Sequence, residues 1–208
     1  MERSEFEKMM ERSKFENQLF HLRKIILDGI SYFIVWQELT KEYEDSNQNL
    51  NQNKGWWWQY RGFFAPARNA LLWSTLMQLS KAFDTDPRTV SLNNLLITAR
   101  NNLTELTSYA TQDSLEDIQV MIIKNTELLH KLRRYRNRRL VHYDSEEVAN
   151  IELPLEEVKT LIEETKSIYN SLKFSCDGKY DNFDDIMEDV SLHTSQVVTI
   201  MRTSDKHG

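Results

Sequence analysis

Arg136 and His142 stand six residues apart, with Asn137 beside the arginine, at the end of the most basic segment of the chain. Arginine and histidine together carry what metal-free RNA cleavage requires. A base must take the proton of a ribose 2′-hydroxyl, a cation must stabilise the crowded phosphorane, and an acid must protonate the departing 5′-oxygen. Histidine serves either proton step near neutral pH, and the arginine fork matches the phosphorane oxygens.

The segment leading into this pair holds Lys131, Arg133, Arg134, Arg136, Arg138 and Arg139, six cations within nine positions. Removing them from the 26 basic residues leaves 20 against 32 acidic ones. An acidic chain that gathers cations in one segment points to a phosphate-bearing partner such as RNA. A plainer reading stands beside it: basic residues in the last turns of a helix complement its dipole and form a solvated face. Spacing also raises an objection. On an unbroken helix six residues turn through about 600°, so Arg136 and His142 point apart, whereas Arg138 and His142 share a face. Either the helix ends before His142 or the site draws on two subunits.

The elements that must position these residues are helical. Only 5 Gly and 3 Pro occur, too few for many short strands and turns. Phe15, Leu19, Leu22, Ile26, Gly29, Phe33 and Trp36 trace one apolar stripe, predicting a long helix over about 4–44. A polar loop follows over 45–55. The next helix is expected from Trp56 to Phe83, with Phe63, Phe64, Ala67, Ala70, Leu71, Ser74, Met77, Leu79 and Ala82 facing inward and a kink or late start at Pro66. Ser91 caps a shorter helix. Ser114 to Asp117 reads as a capping box opening one helix from Ile118 to about Val141, which carries the basic run. Pro154 suits the first turn of a helix to about Phe174, with Val158, Leu161, Ile162, Thr165, Ile168, Tyr169 and Leu172 inward. The bundle core spans 56–174, and a last helix covers about 183–201. The reading is a single all-α domain over 1–208, a bundle of about five or six helices.

Other constellations are less telling. Trp56, Trp57 and Trp58 beside Arg61 can stack on unpaired bases, but a hydrophobic plug or dimer contact is the simpler reading. His21, His130, His193 and His207 lack metal-ligand spacing, and acidic pairs such as Glu156–Glu157 read as solvated helix faces. Cys176 is the only cysteine, so neither an intrachain disulfide nor a zinc-holding pair is expected. No metal or cofactor is expected. The most apolar stretch, 25–36, is too short to span a bilayer and no apolar signal core opens the chain, so a cytoplasmic protein away from membranes is expected.

Arg136-Asn137, four further residues and His142 resemble the signature of HEPN (higher eukaryotes and prokaryotes nucleotide-binding) domains. Leu79-Ser80-Lys81-Ala82-Phe83-Asp84 followed by Ser91-Leu92 is similar to the abortive-infection, AbiU-like branch, as is the ending His142-Tyr143-Asp144. The likeness covers roughly residues 15–200. It implies a HEPN-like helical bundle and a metal-independent endoribonuclease of anti-phage defence or a toxin–antitoxin system. It also implies a homodimer whose two motifs form a composite site, and an antitoxin protein as a further partner. By this resemblance Arg136 contacts the scissile phosphate, Asn137 orients it and His142 transfers a proton, leaving 2′,3′-cyclic phosphate and 5′-hydroxyl ends. Lys131, Arg133, Arg134, Arg138 and Arg139 would then hold the RNA backbone, with Tyr143 and Asp144 supporting. One departure stands out: a HEPN toxin group carries a tyrosine two residues after the histidine as the target of a partner nucleotidyltransferase, and here Asp144 holds that position. The alternatives are a non-catalytic module binding nucleotide, RNA or a partner protein through the basic helix, and an antitoxin-like scaffold.

Overall fold

The N-terminal helix continues beyond the point where its sequence turns polar. The computed structural model describes residues 5–48, 56–141 and 154–204. Helix α1 spans Glu5–Gln48 and so enters the stretch expected to be loop. It is followed by α2 (Trp56–Gln59), α3 (Arg61–Ala82), α4 (Leu92–Asn101), α5 (Leu103–Leu106), α6 (Gln112–Lys124), α7 (Thr126–Val141), α8 (Leu155–Asp177) and α9 (Asp184–Ser204). Among the described residues every regular element is a helix, which makes the fold all-α. The nine segments among the described residues exceed the expected five or six, partly because two expected helices are interrupted.

Both interruptions have local causes. The helix expected from Trp56 breaks at Tyr60, whose carbonyl accepts from the Phe63 and Phe64 amides as α3 begins. Pro66 then sits inside α3 rather than at its start. The helix expected to run unbroken to Val141 divides at Asn125, which is 5 % exposed. Its side-chain amide donates to the Met121 carbonyl at 2.9 Å, and its own carbonyl accepts from the Leu129 amide at 2.9 Å. One side chain thus closes α6 while its backbone opens α7. The capping box of α6 also lies upstream of the expected place. Thr111 is the N-cap, its hydroxyl accepting from the Ser114 amide at 3.2 Å while the Ser114 hydroxyl accepts from the Thr111 amide at 3.0 Å. Ser114 is therefore the third helical residue, not the cap.

The chain packs as two units, one of residues 1–27 and 76–181 and one of residues 28–75 and 182–208. In the first unit α6 packs on α4 and α8. The inward face of α8 is the expected one, from Val158 to Leu172. Gly178 ends α8 with φ 70°, its N–H reaching the Phe174 carbonyl. Of the inward face expected for α3, Phe64, Leu79 and Ala82 are buried and Ala67, Leu71, Ser74 and Met77 half-buried, whereas Phe63 and Ala70 are exposed; Thr75, Leu76 and Ser80 are buried besides. Thr75 tolerates burial because its hydroxyl donates to the Leu71 carbonyl at 3.0 Å.

In the second unit Leu39, Trp57, Phe64 and Val198 form the core. Trp57 is 1 % exposed, with Tyr43 and Phe64 rings at 5.9 and 5.4 Å, so this member of the tryptophan run is a plug. The Arg61 guanidinium stands 5.8 Å over the Trp58 ring. The buried carboxylate of Glu42 is held by the Arg202 fork of α9. Among the described residues no helix is long and apolar enough to cross a membrane.

Candidate functional site

Helix α7 carries the basic run, and its rotation is set by Leu129 and Leu132, both buried in the first unit. Residues three and four positions further along lie near the same face, which brings Arg133 and Arg136 to the edge of the buried stripe. There they meet the C-terminal end of α3. Arg133 donates from Nη2 to the Phe83 carbonyl at 3.0 Å, and Arg136 donates from Nη1 to the Ser80 hydroxyl at 2.9 Å. Going up α7 means going down α3, so the two helices run antiparallel where they touch.

The α3 end is itself tightly organised. Phe83 follows the last residue of the helix, and its carbonyl also accepts from the Asn93 side-chain amide at 3.0 Å. Asp84 takes the backbone amides of Thr85 and Asp86 on its carboxylate, while its carbonyl accepts from the Ser91 hydroxyl at 2.7 Å. Ser91 caps α4 through the Asn94 amide, as expected. The stretch Leu79–Asp84 and the Ser91-Leu92 pair therefore form one turn that receives two arginines of α7.

The cations of the basic run fall into distinct settings. Lys131 donates to both carboxylate oxygens of Glu157, at 3.0 and 3.3 Å, so its charge is matched on α8. Arg133 commits an N–H to a carbonyl at a helix end. Arg134 is exposed. Arg136 is half-buried and bonds two neutral acceptors, Ser80 Oγ and, from Nε at 3.1 Å, Asn137 Oδ1. Neither partner cancels its charge. Because Asn137 spends its carbonyl on Arg136, its amide nitrogen remains as a donor beside the guanidinium, and Asn137 is exposed. Arg138 and Arg139 lie on the last described turn of α7. His142, Tyr143 and Asp144 lie outside the described residues.

The arrangement thus joins Arg136 and Asn137 into one pair, and among the described residues the guanidinium bonds only to the Ser80 and Asn137 oxygens. It separates Lys131 and Arg133 from that pair by giving each an internal partner. Ser80 lies in the AbiU-like stretch Leu79–Asp84 but was not among the expected site residues. Its signal was present: a serine on an otherwise apolar stripe at 76, 79, 80 and 83, and 4 % exposed. Among the described residues no group of three or more His, Cys, Asp or Glu side chains is placed to hold a metal ion.

Neither a curated protein nor a solved structure matches the chain. The HEPN family model described as AbiU2 matches residues 12–194, a span that holds α7, the α3–α4 turn and the whole basic run. The chain belongs to the AbiU2 family of HEPN domains.

Proposed function

We propose that this protein is a metal-independent endoribonuclease serving phage defence or a toxin–antitoxin system. The observation that carries the reading is Arg136, a half-buried guanidinium whose bonds among the described residues are to two neutral acceptors, Ser80 and Asn137. A cation fixed by neutral acceptors is suited to a phosphorane, whose extra negative charge appears only in the transition state. Family membership supports the same assignment.

In the proposed reaction a base takes the ribose 2′-hydroxyl proton, and the 2′-oxygen attacks phosphorus. The bond to the 5′-oxygen breaks, and an acid returns a proton to that oxygen. The products are a 2′,3′-cyclic phosphate and a 5′-hydroxyl. His142 performs a proton transfer, Arg136 contacts the scissile phosphate, and the Asn137 amide orients it. Tyr143 and Asp144, adjacent to His142, support the histidine. Arg134, Arg138 and Arg139 hold the flanking backbone. Two protomers contribute to one composite site, which supplies the opposed groups that one helix presents on different faces. An antitoxin protein is the proposed restraint.

The test is incubation of the wild type, Arg136→Ala and His142→Ala with mixed cellular RNA in excess EDTA. Cleavage by the wild type that both substitutions abolish supports the reading. No cleavage by the wild type, with RNA or nucleotide still bound through the arginines, replaces it by the non-catalytic binding module.

A further inference from the structure

We propose that Ser80 is a positioning residue of the candidate site, holding the Arg136 guanidinium in its phosphate-binding pose from a different helix. The proposal rests on the nuclease reading of Arg136 and adds to it a residue with no part in the arginine–histidine motif.

A free arginine side chain samples many rotamers, and freezing it at the moment of reaction costs conformational entropy. A site that fixes the guanidinium beforehand avoids that cost in the transition state. The Ser80 hydroxyl lies 2.9 Å from Arg136 Nη1 and belongs to the buried face of α3, next to the core residue Leu79. A carboxylate at this place would hold the arginine more strongly but would cancel its charge, as Glu157 does for Lys131. A hydroxyl holds it and leaves the charge available. The neighbouring bond from Arg133 to the Phe83 carbonyl fixes α7 against the same end of α3. Arg133 thus ties α7 to the end of α3 by a bond separate from the one between Ser80 and Arg136.

Ser80→Ala removes the acceptor without adding bulk, and alanine favours the helix. Thermal melting of Ser80→Ala should therefore stay close to that of the wild type. Single-turnover cleavage should slow about tenfold or more, with KM for RNA nearly unchanged, because a displaced catalytic group costs rate more than binding. Wild-type rates in Ser80→Ala would overturn the proposal.

A readout without cleavage separates this inference from the nuclease reading. By NMR, rotation about the Cζ–Nη1 bond of Arg136 should be slow in the wild type and averaged in Ser80→Ala. Wild-type protein that cuts no RNA removes the nuclease reading. Arg136 signals unchanged by Ser80→Ala remove the positioning role by themselves.

Discussion

Arg133 donates to the backbone carbonyl of Phe83 at 3.0 Å, and so one cation of the basic run is spent closing the end of α3. Arg134, the next residue, is exposed. Adjacent arginines of equal charge therefore do different work, which a count of basic residues conceals.

That division predicts different losses. Arg133→Ala should lower stability by about 1–2 kcal/mol, since a helix-end carbonyl loses a charge-assisted bond. Arg134→Ala should leave the melting temperature unchanged and weaken RNA binding, reducing the slope of log affinity against log salt by about 1. Thermal melts and fluorescence-anisotropy titrations across a salt series distinguish the two. An Arg133→Ala protein that melts like the wild type would contradict the assignment.

Gly178 makes a second prediction, about stability alone. Its φ of +70° is left-handed, and a Cβ built there meets the Tyr109 ring at 3.0 to 3.2 Å. Gly178→Ala should cost about 1–2 kcal/mol for the backbone alone, plus whatever the ring must yield. In a Tyr109→Ala background the substitution should cost less but not nothing. Denaturant unfolding of the four proteins measures both contributions, and equal costs in the two backgrounds would show that the ring does not resist.

Alkaline pH supplies a third. Burial pushes the Cys176 thiol above its ordinary value of 9.0, with the Glu16 charge adding to it, and burial together with the Asp181 charge raises the Tyr169 hydroxyl further still. In the unfolded chain both groups ionise at their ordinary values. Stability from keeping them neutral is complete below pH 9 and falls as pH rises through 9 and then 10, by at most about 1.4 kcal/mol per pH unit for each group. Cys176→Ala should flatten the first part of that decline. A stability profile through pH 9 to 10 with the same slope in both proteins would contradict the thiol's part in it.

Much of this architecture is legible in the residues. The inward face of α8 follows from strong apolar spacing between Val158 and Leu172, and Ser91 caps α4 because its hydroxyl precedes an apolar repeat. The break at Asn125 is not legible, since Leu128 and Leu129 continue an apolar pattern across it and only the buried side-chain amide decides the geometry. On α3 the apolar spacing finds Phe64, Leu79 and Ala82, but it does not find Thr75, a polar residue whose burial depends on a backbone partner one turn away. Arg136 and Asn137 announce themselves by motif. The pairing of Ser80 with Arg136 is not legible, because the two lie 56 residues apart and only the contact of α3 with α7 brings them together.

The central claim is that Arg136 and His142 cleave RNA through its own 2′-hydroxyl. Its most direct test is the chemical identity of the new 3′ ends after incubation with RNA in excess EDTA. The account predicts 2′,3′-cyclic phosphates from the wild type and none from Arg136→Ala or His142→Ala. New 3′-hydroxyl ends from the wild type, or cyclic phosphates made equally well by either variant, would contradict it.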